Sequence, residues 1–443
     1  MCLLALVGTY LAGQRSLVGG LVATLAVGYA YGIVRANALS TATYFLFDFS
    51  VLGLYAAQLF RVPAPGIQRA SGAMQLWVFA LCAWPIMLMS IPRQESLIQL
   101  VGLRTAIFLL PFLLLGPRLT SDDLNRLALW FGGLNLGAFA IAAAEFAFGL
   151  EPFLPRNAVT ALNYLQSDVG SGMASRIPSS FPSAAAYGGT MVLTLPVLLG
   201  AWSQRERSTR MQIFLICALV ATGSGVLVSA SRTAAVLMFA LIAGTVLSGR
   251  VRLRYRVGWL AVVGVVGFIA LLDSRLQRVA TLQDTAYVVK RLSWSMNGEF
   301  FTSLARYPFG NGLGGGGTNI PYFLQKRVRT APVIIENEYA RIALEEGIAG
   351  LALWVLFLMW VFFRRRRGGQ ESARLTKRLV WLLGVLFFAD GLIGLGLLAS
   401  IPGAALLLLF TGWLAGQNSP EALGPPPPTV IDRHEHAAHR SFR

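Results

Sequence analysis

Four carboxylates lie within one short segment of a chain that has few acidic residues. Aspartate and glutamate together number 20 among 443 residues. The segment reads VIIENEYARIALEEGIAGL, and its carboxylates are Glu336, Glu338, Glu345 and Glu346. A carboxylate can act as a general base, but negative charge near the start of a helix is also favoured by the helix dipole. We assign Glu338, Glu345 and Glu346 mainly to favourable electrostatics at the start of this helix. Glu345 is also spaced from Arg341 as in a helical ion pair.

Arginine is the second residue type here that could bind a substrate, because a guanidinium group binds phosphate oxygens through paired hydrogen bonds and stays charged. Arg176 precedes a long apolar run in RIPSSFPSAAAYGG, and Arg232 lies in a short turn between two apolar runs in VSASRTAAV. Lys290 and Arg291 lie in VVKRLSW, where we expect an amphipathic surface helix. The alternative for Arg232 is a side chain that reaches from a helix end to the membrane surface. For Arg176 it is an ion pair with a loop carboxylate.

Histidine and cysteine offer little chemistry in this chain. The histidines His434, His436 and His439 all fall in the last ten residues, and the three cysteines all fall in apolar runs. No disulfide framework or C-x-x-C site is therefore available. We expect neither a metal nor a cofactor, since the scattered loop carboxylates form no D-x-D pair.

Membrane helices must position these groups. Hydrophobic residues make up 55% of the chain and charged residues 13%, whereas about a quarter of a soluble domain is charged. Apolar runs of roughly 17–25 residues recur, and each can cross a hydrocarbon core of ~30 Å as a helix. The sequence predicts an all-α polytopic membrane protein, because lipid leaves backbone polar groups no partner outside the segment.

We expect about 12 transmembrane helices, or 13 if residues 2–13 form one. The predicted spans are 16–34, 41–60, 72–91, 96–115, 124–149, 184–202, 211–229, 233–249, 257–272, 340–363, 377–397 and 398–416.

Charges in the short loops orient these spans. Alternate short loops are rich in arginine, such as RRRR at 364–367, and the positive-inside rule places them in the cytoplasm. Two long periplasmic loops then result, 150–183 and 273–339. We treat residues 1–416 as one transmembrane domain and expect the larger loop, between the helices near 257–272 and 340–363, to be helical. Residues 417–443 contain GPPPP and are predicted to be a disordered cytoplasmic tail.

The net charge of +17 would suggest nucleic acid for a soluble protein, but no zinc-finger spacing or RNP motif supports that interpretation. Because the external loops are basic as well, we expect an external cavity that binds an anion. Inside the membrane, Asp48 and Arg104 are predicted to pair, and Asp390 is a candidate to line the cavity. The glycine-rich stretch 307–317 lacks the GK[ST] of a P-loop and is interpreted as a flexible loop or hinge.

Three segments, in this order, resemble the O-antigen ligase and polymerase superfamily. They are RIPSSFPSAAAYGGTMVLTLPVLLG, VSASRTAAVLMFALIAG and RYPFGNGLGGGG…ENEYARIALEEGIAGL, and they fall within residues 170–360. The last is the most specific, because it matches the family's spacing at Asn337, Tyr339, Glu345, Gly347 and Gly350.

The resemblance implies a metal-independent, GT-C-like membrane glycosyltransferase at the periplasmic face of the bacterial inner membrane. Its donor would be a glycan on undecaprenyl pyrophosphate, and a second lipid-linked oligosaccharide would be the acceptor, with a chain-length regulator as a further candidate partner. Arg176 and Arg232, with Arg291, would bind the pyrophosphate and stabilise the charge that builds as it departs. The residues expected to support the substrate or its loop are Asn337, Tyr339 and Arg341.

The family's last motif begins with histidine, whereas this chain has Glu336 at that position. We expect Glu336 to be the base in an inverting displacement, because a carboxylate can take the proton of an attacking sugar hydroxyl. The absent histidine favours a polymerase of O-antigen or exopolysaccharide repeats over a ligase that transfers the glycan to lipid A-core or another acceptor. A flippase for lipid-linked oligosaccharides is the non-enzyme alternative, but the repeats expected of such a transporter are not visible.

Overall fold

The computed structural model describes residues 1–60, 72–165, 176–204, 207–247, 300–317, 320–329, 337–364, 374–394 and 396–416, together with residues 286, 289 and 293. Within these residues the secondary structure is helical and no strand occurs. The helices are α1 (Cys2–Arg15), α2 (Leu17–Asn37), α3 (Thr41–Tyr44), α4 (Leu46–Leu59), α5 (Gly72–Met89), α6 (Ser96–Ile107), α7 (Phe112–Leu115), α8 (Ser121–Phe148), α9 (Ala161–Leu165), α10 (Ala184–Trp202), α11 (Thr209–Val228), α12 (Arg232–Leu247), α13 (Phe300–Arg306), α14 (Glu338–Phe363), α15 (Arg374–Asp390) and α16 (Gly403–Gly416). Short 3-10 turns cover Gly116–Arg118 and Gln325–Arg327.

Seven helical segments of the described chain are long and apolar enough to cross a membrane. They are Leu17–Asn37, Gly72–Met89, Ser96–Arg118, Ser121–Phe148, Ala184–Trp202, Thr209–Val228 and Glu338–Phe363. Shorter apolar helices include Leu46–Leu59 and Gly403–Gly416. The set confirms the all-α prediction for the described residues and is compatible with a polytopic membrane protein. The count of 12 spans stays a prediction, since the predicted helix 257–272 lies outside the described residues. The predicted disordered tail 417–443 also lies outside them.

The first residues form a helix of their own. α1 ends at Arg15, and the Ser16 hydroxyl accepts a 2.8 Å hydrogen bond from the Gly19 amide to cap α2. α1 packs against α4, where the Thr9 hydroxyl donates to the Ser50 carbonyl at 2.8 Å. With 14 residues, α1 is ~21 Å long, which is short of a full span.

The predicted boundary between the last two helices is wrong. The spans 377–397 and 398–416 were expected to be almost continuous, but α15 ends at Asp390 and α16 begins at Gly403. Gly396 has a φ of +88°, and Pro402 lacks an amide hydrogen to donate to the preceding turn. Irregular backbone at membrane depth is tolerated where protein buries it or where it lines a cavity.

α10 lies at the centre of the bundle and packs against α8, α11, α12, α15 and α16. A buried hydrogen-bond network around Asn135 joins α10 to three neighbouring helices. The Tyr29 hydroxyl donates to Asn135 Oδ1 at 2.7 Å, and Asn135 Nδ2 donates to the hydroxyls of Thr194 and Thr222, both at 2.8 Å. These bonds join α2, α8, α10 and α11, and a fully satisfied buried network of this kind favours one packing arrangement.

Candidate functional site

One cavity of about 1180 Å³ brings together charged residues that lie far apart in the sequence. The charged residues in its described lining are Arg35, Asp48, Arg104, Arg176, Arg232 and Asp390. Arg176 and Arg232, to which the family resemblance assigns a joint role in pyrophosphate binding, therefore line a common cavity. Glu336 and Arg291 lie outside the described residues.

Arg176 begins a segment that is tightly held between two helices. Glu145 in α8 accepts a hydrogen bond from the Ser179 amide at 2.8 Å, and the Ser179 hydroxyl donates to the Ala138 carbonyl at 2.7 Å. From α2, the Ile33 amide donates to the Ser180 carbonyl at 3.0 Å. The backbone that follows Arg176 is thus fixed before the chain enters α10.

Arg232 is the first residue of α12, directly after the turn Ser229–Ser231. In this turn the Ser229 hydroxyl donates to the Val226 carbonyl at 2.6 Å, and the Ala230 amide donates to the Leu227 carbonyl at 2.9 Å. The turn is buried, so the arginine emerges from a fixed backbone.

Backbone strain coincides with both arginines. Among the described residues, two non-glycine residues have a positive φ: Ser179 at +53° and Ala230 at +50°. Ser179 is three residues after Arg176, and Ala230 is two residues before Arg232. Such conformations cost about 1–3 kcal/mol each and persist only where the surroundings impose them, often at functional sites. This observation is independent of any sequence motif.

Asp48 and Arg104 pair as the sequence predicted. Arg104 Nε and Nη2 donate to the two carboxylate oxygens of Asp48 at 2.8 and 2.6 Å. The guanidinium also lies over the rings of Tyr44 and Phe45, at 5.8 and 5.6 Å from their centroids. The positive charge of Arg104 is therefore matched within the cavity wall.

Asp390 is the other carboxylate in the described lining, and it differs from Asp48. Its carboxylate makes no hydrogen bond or ion pair with the described part of the chain. It stands at the C-terminus of α15, where the helix dipole disfavours negative charge. α15 packs against α10, which follows the Arg176 segment, and against α12, which begins at Arg232. The half-buried Asp390 carboxylate therefore lies at the end of a helix that contacts the helices next to both arginines.

Glu338 and Tyr339 hold the segment around Asp390 in place. The Glu338 amide donates to the Gly391 carbonyl at 2.9 Å, and a Glu338 carboxylate oxygen accepts from the Gly396 amide at 2.9 Å. The Tyr339 hydroxyl donates to the Phe388 carbonyl at 2.8 Å. Neither residue lines the cavity, and both act on the backbone that does.

Arg341 is buried in an ion-pair network within α14. Its guanidinium donates to Glu338 at 2.7 and 3.0 Å and to Glu345 at 2.8 Å. The other Glu345 oxygen accepts from the Gly316 amide at 3.3 Å. The helical pair of Arg341 and Glu345 that the spacing predicted is therefore present. The three side chains are only 1–3% exposed, so they do not act as charges on the surface of the helix end. They instead form a buried link between the glycine-rich loop and the backbone around Asp390 and Gly396.

Asn337 caps α14, since its side-chain oxygen accepts from the amides of Tyr339 and Ala340 at 2.9 and 3.0 Å. This is an ordinary helix cap. Like Tyr339 and Arg341, Asn337 is absent from the described lining of the cavity.

The glycine-rich loop is not the flexible hinge that its composition suggested. Residues 310–316 are buried, and the Asn311 amide donates to the Leu344 carbonyl at 2.6 Å. Gly347 breaks α14 with a φ of +74°, and a Cβ there would lie 2.5 Å from the Pro308 carbonyl oxygen. The glycines serve a close approach of two protein backbones.

Sequence reasoning did not single out Arg35, which lines the cavity beside the rings of Tyr31 and Tyr44. One signal was present: Arg35 directly follows the predicted span 16–34, on the side of the membrane that the loop charges predict for Arg176.

Comparison of the chain with known protein families and with curated protein sequences gave no match. The likeness to O-antigen ligases and polymerases thus depends on the three sequence segments alone.

Proposed function

We propose that this protein is a membrane glycosyltransferase that polymerises lipid-linked glycan repeats, with undecaprenyl-pyrophosphate-linked glycan as donor and O-antigen or exopolysaccharide as product. The observation that carries the proposal is the shared cavity of Arg176 and Arg232, each fixed by a strained turn. Two guanidinium groups held at fixed positions suit a pyrophosphate, because each can bind two phosphate oxygens.

The remainder of the lining suits a lipid-linked ligand. Apolar side chains contribute a large part of it, and examples are Phe108, Leu193, Leu237, Phe387 and Leu397. A cavity with a cationic part and an apolar part can hold a charged head group and the first isoprene units together, because burying apolar surface is favourable.

The chemistry follows from charge. The acceptor hydroxyl attacks the anomeric carbon, the bond from that carbon to the pyrophosphate oxygen breaks, and the electron pair leaves with the pyrophosphate. Arg176 and Arg232 stabilise the negative charge on the leaving group. A carboxylate takes the hydroxyl proton; the candidates are Glu336, chosen from the sequence, and Asp390, which lines the cavity.

Loop charge gives the orientation. Each charged residue in the described lining lies at, or within a few turns of, the helix end opposite the arginine-rich short loops. The Arg176 segment is an example, because its Ser179 amide bonds to Glu145 near the end of α8, whereas Arg126 lies near the start of α8. Under the positive-inside rule, this distribution supports a cavity that faces the periplasm and a C-terminus in the cytoplasm.

The first test removes each arginine. Arg176→Ala and Arg232→Ala are expected to reduce glycan transfer at least 100-fold, since each loses a charge-assisted contact that strengthens in the transition state. Arg126→Ala is the matched control, because Arg126 is exposed at the other end of α8, and it should transfer at the wild-type rate. Wild-type kinetics in both cavity variants would refute the pyrophosphate site.

A second test assigns the base. If Glu336 is the base, Glu336→Gln abolishes turnover while the donor still binds, and Asp390→Asn retains most of its activity. If Asp390 is the base, the two variants exchange behaviour. Full activity in both would exclude a carboxylate base at either position.

A further inference from the structure

Arg35 is the cavity arginine that lies furthest in sequence from the segments that suggested a function. It occupies the last turn of α2 and lines the same cavity as Arg176 and Arg232. We propose that Arg35 is a third pyrophosphate-binding residue, which contacts the same lipid-linked donor from the N-terminal side of the cavity. The proposal rests on the proposed function, since it assigns a further contact to that donor.

The end of α2 is fixed to the segment that carries Arg176. The Ile33 amide donates to the Ser180 carbonyl at 3.0 Å, and a Cβ at Gly32 would overlap the backbone of Phe181. Asn37 Nδ2 donates to the Phe153 carbonyl at 2.8 Å. Arg35 lies between these contacts, so its position relative to the Arg176 segment is set by the backbone.

Two tyrosines orient the guanidinium. Its central carbon lies 4.9 Å from the ring centroid of Tyr44 and 5.7 Å from that of Tyr31. The Tyr31 hydroxyl donates to the Tyr44 carbonyl at 2.8 Å, which fixes the two rings relative to each other. A cation over aromatic faces keeps its charge and its outward N–H groups, so this contact leaves the arginine able to bind an anion.

Charge distinguishes Arg35 from Arg104 on the same wall. Arg104 is matched by Asp48 through two hydrogen bonds, whereas Arg35 makes no ion pair with the described residues. The Nε of Arg35 is buried and has no hydrogen-bond acceptor among them. A buried donor without an acceptor is costly. Arg35 as a whole is half-buried and lines the cavity, so an anion bound there would balance the positive charge that no described carboxylate pairs with.

A purely structural role for Arg35 is the competing explanation. An arginine in the last turn of a helix interacts favourably with the helix dipole, and packing on two rings adds to this. In that case its substitution would lower the melting temperature and leave anion binding unchanged.

The test measures binding of farnesyl pyrophosphate, a short isoprenyl pyrophosphate, to the purified full-length protein in detergent. Arg35→Ala is expected to weaken binding at least tenfold, and Arg35→Lys by less, because lysine keeps the charge but loses the paired donors. Arg15→Ala, at the end of α1 and outside the cavity lining, is the control with wild-type affinity. Arg35→Gln serves as the second variant if Arg35→Ala does not fold.

The outcomes separate this inference from the proposed function. If Arg176→Ala and Arg232→Ala weaken binding while folded Arg35→Ala or Arg35→Gln binds like wild type, Arg35 is not a ligand contact and the proposed function stands. If the wild-type protein does not bind farnesyl pyrophosphate, the proposed donor class and this inference are both overturned.

Discussion

Backbone strain in the described residues occurs close to Arg176 and Arg232, the two cavity arginines that the sequence suggested as ligand contacts. Ala230 adopts a left-handed conformation with a buried methyl group and no side-chain hydrogen bond to compensate for it. Glycine would adopt the same φ without a steric penalty. The presence of alanine rather than glycine is explained if the turn must be rigid to position Arg232.

Ala230→Gly should therefore stabilise the fold and impair the reaction. Relief of the left-handed strain, less the entropy that glycine adds to the unfolded chain, predicts a gain of about 1 kcal/mol. We expect a higher melting temperature together with a roughly tenfold loss of turnover, because small misplacements of a substrate contact are costly. Ala218→Gly, inside α11, should lower the melting temperature instead. Unchanged turnover in Ala230→Gly would mean that rigidity of this turn has no part in the reaction.

At the scale of elements, the sequence predicted the apolar helices well and their interruptions poorly. The helical pair of Arg341 and Glu345 follows from spacing, but the reach of Glu345 to Gly316 and of Glu338 to Gly396 depends on loops far away in the sequence. The break at Gly347 is equally hidden, because its cause is the backbone of Pro308 pressing against α14. Local periodicity carries no information about such contacts.

The network in α14 predicts a stability effect for Arg341. Arg341→Met leaves Glu338 and Glu345 buried without their shared cation, which is expected to cost about 3–5 kcal/mol. Thermal unfolding in detergent should show a large drop, and the triple variant Glu338→Gln, Arg341→Met, Glu345→Gln should recover part of it. A normal melting temperature combined with lost donor binding would instead support the substrate contact that the sequence suggested for Arg341.

At the scale of the whole molecule, the cavity is assembled from the entire chain. Its described charged residues run from Arg35 to Asp390 and come from helices α2, α4, α6, α12 and α15 and from the segment before α10. The sequence suggested Arg176 and Arg232 through local motifs. It could not place Arg35 on the same cavity, because that arrangement arises from the packing of α2 against residues 180–182.

We propose that the protein extends a lipid-linked glycan within this cavity. The most direct measurement incubates the purified protein with a synthetic undecaprenyl-pyrophosphate repeat, in EDTA, and resolves the products by length. We predict a ladder of longer glycans that persists in the chelator and disappears in Arg176→Ala and Arg232→Ala. Transfer only to a different acceptor would identify a ligase, whereas loss of the ladder on chelation would refute the metal-free mechanism. No glycan product with any acceptor would contradict the account as a whole.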